Sequence, residues 1–261
     1  MGRIGSIKEK VKEAEGERGA LHYVLEQYRH IKRRIYNARL QRESRKEVFQ
    51  DIYKKDVWGY IRPEAAPRDF YSGPGSYADE LVDPYVSLVK ELIVEKGIET
   101  IVDLGCGDFN VGSRISPYVA DYTGCDIVPE LIERNKRKFG NDGCGFVCLD
   151  IVEDDLPAAD LCLIREVFQH LSNEEVLQVL PKLRQYKYVL ITGTIERTKE
   201  GFNDNIPHGR YRGVSLESPP FNMTGTEMLR LKHPLTKNST DCVVVSTLFS
   251  NPREPLSEKG R

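Results

Sequence analysis

The chain has 261 residues, of which 39% are apolar and 30% are charged, and its formal net charge is −2. This length fits one α/β domain of ordinary size plus an additional segment, and the apolar share is sufficient for a buried core. No window approaches the roughly 20 apolar residues of a membrane-spanning helix, and the N-terminus has no apolar leader. The six cysteines form no C-x-x-C pair and no metal-ligand spacing with histidine, which favours a reducing compartment. We therefore expect a cytoplasmic protein without a membrane span and without a bound metal.

The charge is distributed unevenly along the chain. Residues 1–56 hold 15 Lys and Arg against 9 Asp and Glu, a net +6, so the remainder, with 23 against 31, carries −8. A large nucleic-acid footprint needs a basic face, and the acidic body therefore disfavours nucleic acid as a partner. The basic segment is typical of a solvated helix, with binding of RNA or of a phosphorylated substrate as the alternative.

Residues 5–55 contain few helix breakers and are predicted to be helical. Their apolar residues follow helical spacing in the set Leu21, Val24, Leu25, Tyr28, Ile31 and Ile35. One apolar stripe indicates one buried partner, either the catalytic domain or the same helix of another subunit in a homo-oligomer. We assign residues 1–56 to an N-terminal helical extension, and we expect residues 1–50 to lie outside the ligand site.

The segment 57–77 has a different character, because it is rich in aromatic residues, glycine and proline. Long irregular segments of this kind are uncommon unless they form binding loops or lids. We predict a lid, with a boundary linker as the alternative. Its candidate substrate contacts are Trp58, Tyr71, Gly73, Gly75 and Ser76. An amphipathic helix is predicted to follow over residues 78–96.

The central stretch of the chain is Val102-Asp-Leu-Gly-Cys-Gly107. A short apolar run that ends in glycines is typical of a buried parallel strand followed by a tight turn. Apolar residues at Phe109, Val111 and Ile115 predict a helix after the turn, with its positive end toward a ligand. A dinucleotide site would have a glycine at position 110, where this chain has Asn110.

Acidic residues end three successive predicted strands. Asp103 lies in the first, Asp126 ends a strand over 122–126, and Asp150 ends a strand over 146–150. Because ligands of open α/β sheets bind at the carboxyl ends of the strands, these carboxylates are expected to converge on one ligand. Further strands are predicted over 160–164 and 188–194, with a helix over 174–183 between them. A closing antiparallel pair is predicted over 227–231 and 242–249.

These motifs make residues 98–195 resemble the class I S-adenosylmethionine-dependent methyltransferases. The resemblance implies an α/β, Rossmann-like fold for residues 57–261, with a seven-stranded, mostly parallel sheet and a final antiparallel strand. It also implies S-adenosylmethionine as the cofactor. A non-catalytic module that binds S-adenosylmethionine is an alternative, although a decayed site would not need all three acids.

The same resemblance implies roles for individual residues. Those expected at the methionine portion and the fourth strand tip are Asp103, Gly105, Cys106, Gly107 and Arg165. In the adenosine portion, Asp126 would accept hydrogen bonds from the ribose hydroxyls, and Asp150 from the adenine amino group. Ile127 and Ile151 would pack against the two faces of the adenine ring.

Two residues after the fourth strand are candidates for catalysis. The run Arg165-Glu166-x-x-x-His170 is similar to an Arg-Asp-x-x-x-His run in phosphoethanolamine methyltransferases, where the histidine is catalytic. His170 is the candidate base, because imidazole titrates near neutral pH. Glu166 lies four residues earlier and is expected to orient the ring from the same helical face. The alternative is a histidine that only packs beside the cofactor.

Departures from the wider family indicate the chemical class of the methyl acceptor. No Asn/Asp-Pro-Pro-Tyr run follows the fourth strand, and no acidic set matches the magnesium-dependent catechol enzymes. Asn203-Asp204-Asn205 is interpreted as a turn. Three further runs are informative: Trp58-Gly59, Ser72-Gly-Pro-Gly-Ser76 and Asn205-Ile-Pro-His-Gly-x-Tyr-Arg212. With these runs, residues 50–220 resemble a bacterial methyltransferase subgroup of cell-surface sugar and polysaccharide biosynthesis. This favours O-methylation of a sugar-like small molecule, with RNA or protein methylation as the alternative.

Overall fold

A computed structural model describes residues 28, 29, 31, 32, 34–40, 42–64, 66–196, 201–233 and 242–250 of the protein. The chain divides into two compact units, residues 1–44 and 45–261. The second unit thus begins earlier than the predicted boundary after residue 56, because it includes helix α1 (Arg45–Lys54). The part of the predicted N-terminal helix that covers residues 5–27 lies outside the described residues.

In the first unit, residues 34–40 are helical. Tyr28, Ile31 and Ile35, which belong to the predicted apolar stripe, have exposed side chains. Packing of the stripe against the catalytic domain or against a second subunit remains a prediction.

The second unit is built on a seven-stranded sheet with the order β3-β2-β1-β4-β5-β7-β6. Strands β1 to β5 are parallel to one another, and β7 runs antiparallel to both β5 and β6. This confirms the predicted fold and its closing antiparallel pair. The strands are β1 (Thr100–Leu104), β2 (Asp121–Asp126), β3 (Cys144–Cys148), β4 (Leu161–Arg165), β5 (Tyr188–Glu196), β6 (Thr226–Lys232) and β7 (Cys242–Ser250).

Three further helices cover the sheet: α2 (Asp79–Lys96), α3 (Pro129–Phe139) and α4 (Asn173–Lys182). One core cluster contains Val89 of α2 and Ile132 of α3, and a second cluster contains Val176 of α4. Helix α2 ends at Gly97, whose φ of 61° is a left-handed conformation that glycine adopts without steric cost. Helix α4 begins with a capping box, in which Ser172 and Glu175 bond each other's backbone N–H groups.

The predicted helix after β1 is wrong. Two short 3₁₀ turns, Gly112–Arg114 and Ser116–Tyr118, occupy its place. Phe109 has a φ of 66°, which a right-handed helix cannot contain, and its ring is buried against Tyr122 and Phe146. The turn after β1 therefore offers individual backbone N–H groups to a ligand, and not the positive end of a long helix.

The sheet order places a crevice at the carboxyl ends of β1 and β4. Strand β1 pairs with β2 on one side and with β4 on the other, so the chain order reverses between these two neighbours. Open α/β sheets bind their ligands at such a reversal. Asp103 lies in β1, and the Glu166–His170 run follows β4, so both border this crevice. Asp126 and Asp150 lie at the carboxyl ends of β2 and β3, on the β2 side of β1.

Candidate active site

The loop after β1 is held in a tight conformation by its own backbone. Gly105 and Gly107 have φ values of 85° and 55°. The N–H groups of Gly105 and Cys106 both donate to the Cys125 carbonyl, at 2.8 and 2.9 Å. A Cβ atom on Gly107 would lie 2.3 Å from Ser72 Oγ, so glycine is needed where another segment approaches this closely.

Asp126 lies beside this loop as expected. Its carboxylate accepts from the N–H groups of Gly107 at 3.2 Å and of Val128 at 3.1 Å. Burial raises the pKa of Asp126 to about 6, against the opposing effect of these N–H donors. Ile127 follows with a partly buried side chain. The carboxylate is thus fixed in place with acceptor capacity left for a ligand.

Asp103 is buried behind the loop. It accepts a 2.8 Å hydrogen bond from the Tyr122 hydroxyl. Burial raises the pKa of Asp103 to about 6, although the Tyr122 hydroxyl and the positive charge of Arg165 lower it. The carboxylate therefore links the first and second strands from inside the sheet.

Asp150 has a charged partner that the sequence did not suggest. Its Oδ1 accepts from Val152 N at 2.9 Å, and its Oδ2 accepts from Arg45 Nε at 2.8 Å. The same guanidinium donates to Glu153 at 2.8 Å and to Glu175 at 2.9 Å. Arg45, at the start of α1, therefore contacts a candidate site residue, although residues 1–50 were expected to lie outside the ligand site. The neighbouring Ile151 is buried in the core.

Arg165 ends β4 with one unsatisfied atom. Its Nη2 donates to the Gly75 carbonyl at 2.7 Å, and its guanidinium lies 5.3 Å from the Tyr85 ring centre. Its Nε is buried and has no hydrogen-bond partner among the described residues. A buried N–H of this kind is a donor that a ligand could satisfy.

Glu166 has both a strained backbone and an unsatisfied carboxylate. Its φ is 58°, a left-handed value that costs a non-glycine residue on the order of 1–3 kcal/mol. Oε2 accepts from Thr194 Oγ1 at 3.3 Å, whereas Oε1 is buried without a partner in the described part of the chain. Strain and unsatisfied polar atoms in one residue are typical of functional sites.

His170 is oriented by a backbone carbonyl. Its Nδ1 lies 2.9 Å from the oxygen of Arg210, and because a carbonyl only accepts, Nδ1 carries the proton. Nε2 is then left as an acceptor. Burial lowers the pKa of His170 to about 4, so the ring is neutral at pH 7. The ring packs between Trp58 at 5.3 Å and Tyr211 at 5.9 Å.

The predicted contact of Glu166 with the His170 ring is therefore wrong. The chain does not run as an α-helix between them, since Glu166 has a positive φ and Phe168–His170 is a 3₁₀ turn. Spacing of four residues brings side chains together only on an α-helix.

The predicted lid lies directly on the loop after β1. Ser72 N donates to Asp108 Oδ2 at 2.9 Å, and Asp108 N donates back to Ser72 Oγ at 2.7 Å. The Tyr77 hydroxyl and the Asn110 amide add bonds of 3.0 Å to Asp108 and 2.7 Å to the Ser76 carbonyl. The Tyr53 hydroxyl of α1 lies 3.0 Å from Ser72 Oγ. We call these hydrogen bonds around Ser72 and Asp108 the clamp.

Two residues of the predicted lid, Tyr71 and Gly73, act on the conformation of the segment itself. Tyr71 is buried, its hydroxyl donates to the Ile61 carbonyl at 2.6 Å, and its ring packs on Tyr77. It therefore stabilises the loop internally. Gly73 has a φ of 89°, which allows the turn into the following 3₁₀ helix.

Sequence reasoning missed several residues of this site, namely Arg45, Tyr53, Asp108, Thr194 and Arg210. Asp108 had a signal, because it directly follows Gly107, and a fourth acid beside the glycine turn could have been included. The others come from segments far away in the sequence and have no spacing that marks them.

A family profile described as "Methyltransferase domain" matches residues 102–187. This region includes β1 to β4 with their carboxyl ends, and it therefore contains the acids and the Glu166–His170 run described above. Residues 102–187 thus match the sequence profile of a methyltransferase domain. The match supports the expected cofactor, S-adenosylmethionine, for this domain.

Relatives of known sequence resemble parts of the methyltransferase domain and its surroundings. The chain is 30% identical over 87 residues to a protein from Chlamydia pneumoniae named as an uncharacterized RNA methyltransferase, covering 32% of this chain and 21% of that protein. It is 23% identical over 144 residues to the 3-O-methylredipecamine 2-O-methyltransferase of Carapichea ipecacuanha, covering 52% and 37% of the two chains. The chain thus spans less than half the length of these relatives.

Solved structures share the fold of the methyltransferase domain. The N-methyltransferase NodS from Bradyrhizobium japonicum, in complex with S-adenosyl-L-homocysteine, superposes with a TM-score of 0.52 at 14% identity, covering 79% of this chain and 97% of that one. Magnesium protoporphyrin IX methyltransferase from Synechocystis, with bound S-adenosylmethionine, gives 0.51 at 14% identity, covering 80% and 98%. The two superpositions show a common fold, and at 14% identity they show the fold alone.

Among the described residues, no group of three or more His, Cys, Asp or Glu side chains is arranged to hold a metal ion. The helices in the described ranges are all too short or too polar to cross a membrane.

Proposed function

We propose that this chain is an S-adenosylmethionine-dependent O-methyltransferase whose acceptor is a sugar or a related small molecule. The observation that carries the proposal is the state of His170. Its Nδ1–H is fixed on the Arg210 carbonyl at 2.9 Å, which leaves Nε2 without a proton and able to accept one. A hydroxyl nucleophile needs such a base, because its proton must leave as the new C–O bond forms.

The residues present fit the cofactor. Asp126 is a fixed carboxylate for the ribose hydroxyls, and Asp150 offers its remaining lone pairs to the adenine amino group. The unpartnered Arg165 Nε is a donor suited to the carboxylate of the methionine portion. The two glycines with positive φ let the backbone after β1 approach a ligand closely.

S-adenosylmethionine supplies an electrophilic methyl group on a positively charged sulfur. The protein's own contribution is to hold the acceptor hydroxyl in line with that methyl and to take its proton at His170 Nε2. Segment 57–77, clamped onto Asp108, would exclude water from the reacting groups. Trp58, whose ring contacts His170, makes this segment part of the acceptor site.

A small acceptor is supported by the shape and charge of the surroundings. The His170 ring lies between aromatic rings from two segments, and the flat faces of such rings suit the apolar face of a sugar. The chain beyond residue 56 carries a net charge of −8, which disfavours a polyanion. One relative, the plant 2-O-methyltransferase, is named for methylating oxygen.

RNA methylation is the second candidate, and two observations favour it. The Chlamydia relative is named as an RNA methyltransferase, and residues 1–56 carry a net charge of +6. Basic segments provide most of the salt-dependent affinity for nucleic acid. The two candidates therefore differ in where the acceptor binds.

Transfer of tritiated methyl from S-adenosylmethionine would test the proposal. The full chain is incubated with a panel of simple glycosides and, separately, with total RNA. We expect label in the glycoside fraction and cofactor affinity that falls about 10- to 150-fold in Asp126→Ala, the loss of a charge-assisted bond. Label in the RNA fraction alone would select the second candidate. No binding of S-adenosylmethionine would reject both.

A further inference from the structure

We propose that Glu166 Oε1 and His170 Nε2 form a two-point acceptor for neighbouring hydroxyl groups, so that the methyl acceptor is a vicinal diol. The inference rests on the proposed function, because it concerns the acceptor side of the same site. It gives Glu166 a direct contact with the acceptor, which replaces the predicted contact with the His170 ring.

Both atoms are hydrogen-bond acceptors that await a donor. His170 uses Nδ1–H on the Arg210 carbonyl, and no described residue donates to its Nε2. Glu166 uses Oε2 on Thr194, and its Oε1 is buried without a partner among the described residues. A single hydroxyl donates one proton and can satisfy only one of these atoms. Two adjacent hydroxyls satisfy both.

Tyr211 is a common neighbour of the two residues. Its hydroxyl lies close to Thr194, whose Oγ1 lies 3.3 Å from Glu166 Oε2. Its ring centre lies 5.9 Å from that of His170. Glu166 and His170 therefore flank the same aromatic side chain, which is 49% exposed and offers a surface for a ligand. Trp58, on His170 as well, adds a second aromatic surface.

Arg165 and Glu166 serve opposite sides of the crevice. Arg165 extends toward the lid and α2, where it bonds the Gly75 carbonyl and covers the Tyr85 ring. Glu166 extends toward Thr194 on β5. The unsatisfied Glu166 oxygen thus belongs with the His170 side, where the acceptor is expected, and not with the residues that suit the cofactor's methionine portion.

Matched small molecules test the inference on the full chain saturated with S-adenosylhomocysteine. The pairs are cis-1,2-cyclohexanediol with cyclohexanol, and catechol with phenol, and the amine analogues are cis-2-aminocyclohexanol and 2-aminophenol. Dissociation constants come from calorimetry, and the ¹⁵N shift of His170 Nε2 reports hydrogen bonding at that atom. We expect each diol to bind about tenfold more tightly than its mono-ol and to shift the Nε2 resonance.

Glu166→Gln is the decisive variant. Thr194 would keep the amide oxygen, so the free atom becomes an N–H₂ donor in place of an acceptor. We expect diol affinity to fall to the level of the mono-ol, with S-adenosylhomocysteine affinity within about twofold of wild type. Glu227→Gln, at an exposed glutamate of β6, is the matched control and should change neither value.

Four results would overturn the inference: equal affinity for diol and mono-ol, tighter binding of the amine analogues, no binding of either diol, or an about tenfold loss of S-adenosylhomocysteine affinity in Glu166→Gln. The last would assign Glu166 to the cofactor. Failure of wild type to bind S-adenosylhomocysteine at all would instead remove the proposed function.

Discussion

Arg45 Nε donates a 2.8 Å hydrogen bond to Asp150 Oδ2, which joins the first helix of the second unit to the carboxyl end of the third strand. The guanidinium is largely buried and also holds Glu153 and Glu175. Glu175 in turn lies 3.0 Å from His208 Nδ1. One side chain thus connects the expected adenine end of the site with the segment that carries Arg210 and Tyr211.

Arg45→Ala should destabilise the protein and weaken cofactor binding. Removing one partner of a buried ion pair leaves uncompensated charge and costs about 3 kcal/mol. We expect a melting temperature roughly 6–12 °C lower and an about tenfold weaker affinity for S-adenosylhomocysteine. Arg230→Ala, which removes an exposed pair with Glu227, should cost less than about 1 kcal/mol. Equal effects of the two changes in a melting experiment would refute the role of Arg45.

The raised pKa of Asp126 predicts that cofactor affinity depends on pH. Ribose hydroxyls donate to the ionised carboxylate, so affinity should rise as the pH increases through about 6 and level off above it. Folding stability has the opposite sign. A carboxyl whose pKa is raised from 3.8 to about 6 contributes stability below about 3.8 that is lost as the pH rises through 6.

Asp126→Asn separates these two effects. The uncharged amide should remove the pH dependence of both affinity and stability near pH 6. Its N–H₂ group would face one of the two backbone donors, so the ligand-free protein should lose about 1–3 kcal/mol of stability. Calorimetric titration with S-adenosylhomocysteine and thermal unfolding between pH 5 and 8 measure both. Because Asp103 also has a pKa of about 6, Asp103→Asn is the control. A pH dependence that survives in Asp126→Asn but not in Asp103→Asn would reassign the effect.

His170→Ala should lower the single-turnover rate of methyl transfer by ~10²–10⁴-fold, the contribution of a positioned base. His170→Gln should not restore the rate, because an amide cannot take the proton. Since the pKa of His170 is lowered to about 4, the wild-type rate at saturating cofactor should not fall between pH 7 and 5. A rate that is halved near pH 6.5, or an alanine variant as fast as wild type, would show that the histidine only packs.

Ser72→Ala should loosen the lid. The change removes the acceptor of the buried Asp108 N–H and the partner of the Tyr53 hydroxyl, a loss of about 1–3 kcal/mol. We expect faster hydrogen exchange of amides in residues 69–77. Ser113→Ala removes a hydroxyl that bonds the Asn110 carbonyl within the same loop, and it should leave lid exchange unchanged. Unchanged exchange in Ser72→Ala would mean that the clamp does not hold the lid.

Glu166→Gly should stabilise the protein while it abolishes the acceptor contact. Glycine adopts a φ of 58° without strain, and the change also removes a buried carboxylate oxygen without a partner. A gain of about 1 kcal/mol corresponds to a melting temperature roughly 2–4 °C higher. Glu227→Gly, in the regular strand β6, should instead cost about 0.5–1 kcal/mol. A loss of stability in Glu166→Gly would show that its backbone is not strained.

The strands were predictable because their signal is local. Apolar runs that end in glycine or aspartate mark β1, β2 and β3, and the acids at their ends follow from the same pattern. The helix after β1 failed because the positive φ of Phe109 is imposed by packing against Tyr122 and Phe146, which periodicity does not register. His170 was found, but its partner Arg210 was not, since a backbone carbonyl 40 residues away leaves no mark on the sequence.

The proposed acceptor side draws on two separate parts of the chain, the Glu166–His170 run after β4 and a later segment. The groups that suit the cofactor come from α1, the lid and strands β1 to β4, whereas Arg210 and Tyr211 come from the connection between β5 and β6. Exchange of residues 201–221 would therefore retarget the enzyme to other acceptors while the cofactor half stays intact. On the proposed function, chimeras that exchange this connection should change the acceptor preference and keep the affinity for S-adenosylhomocysteine.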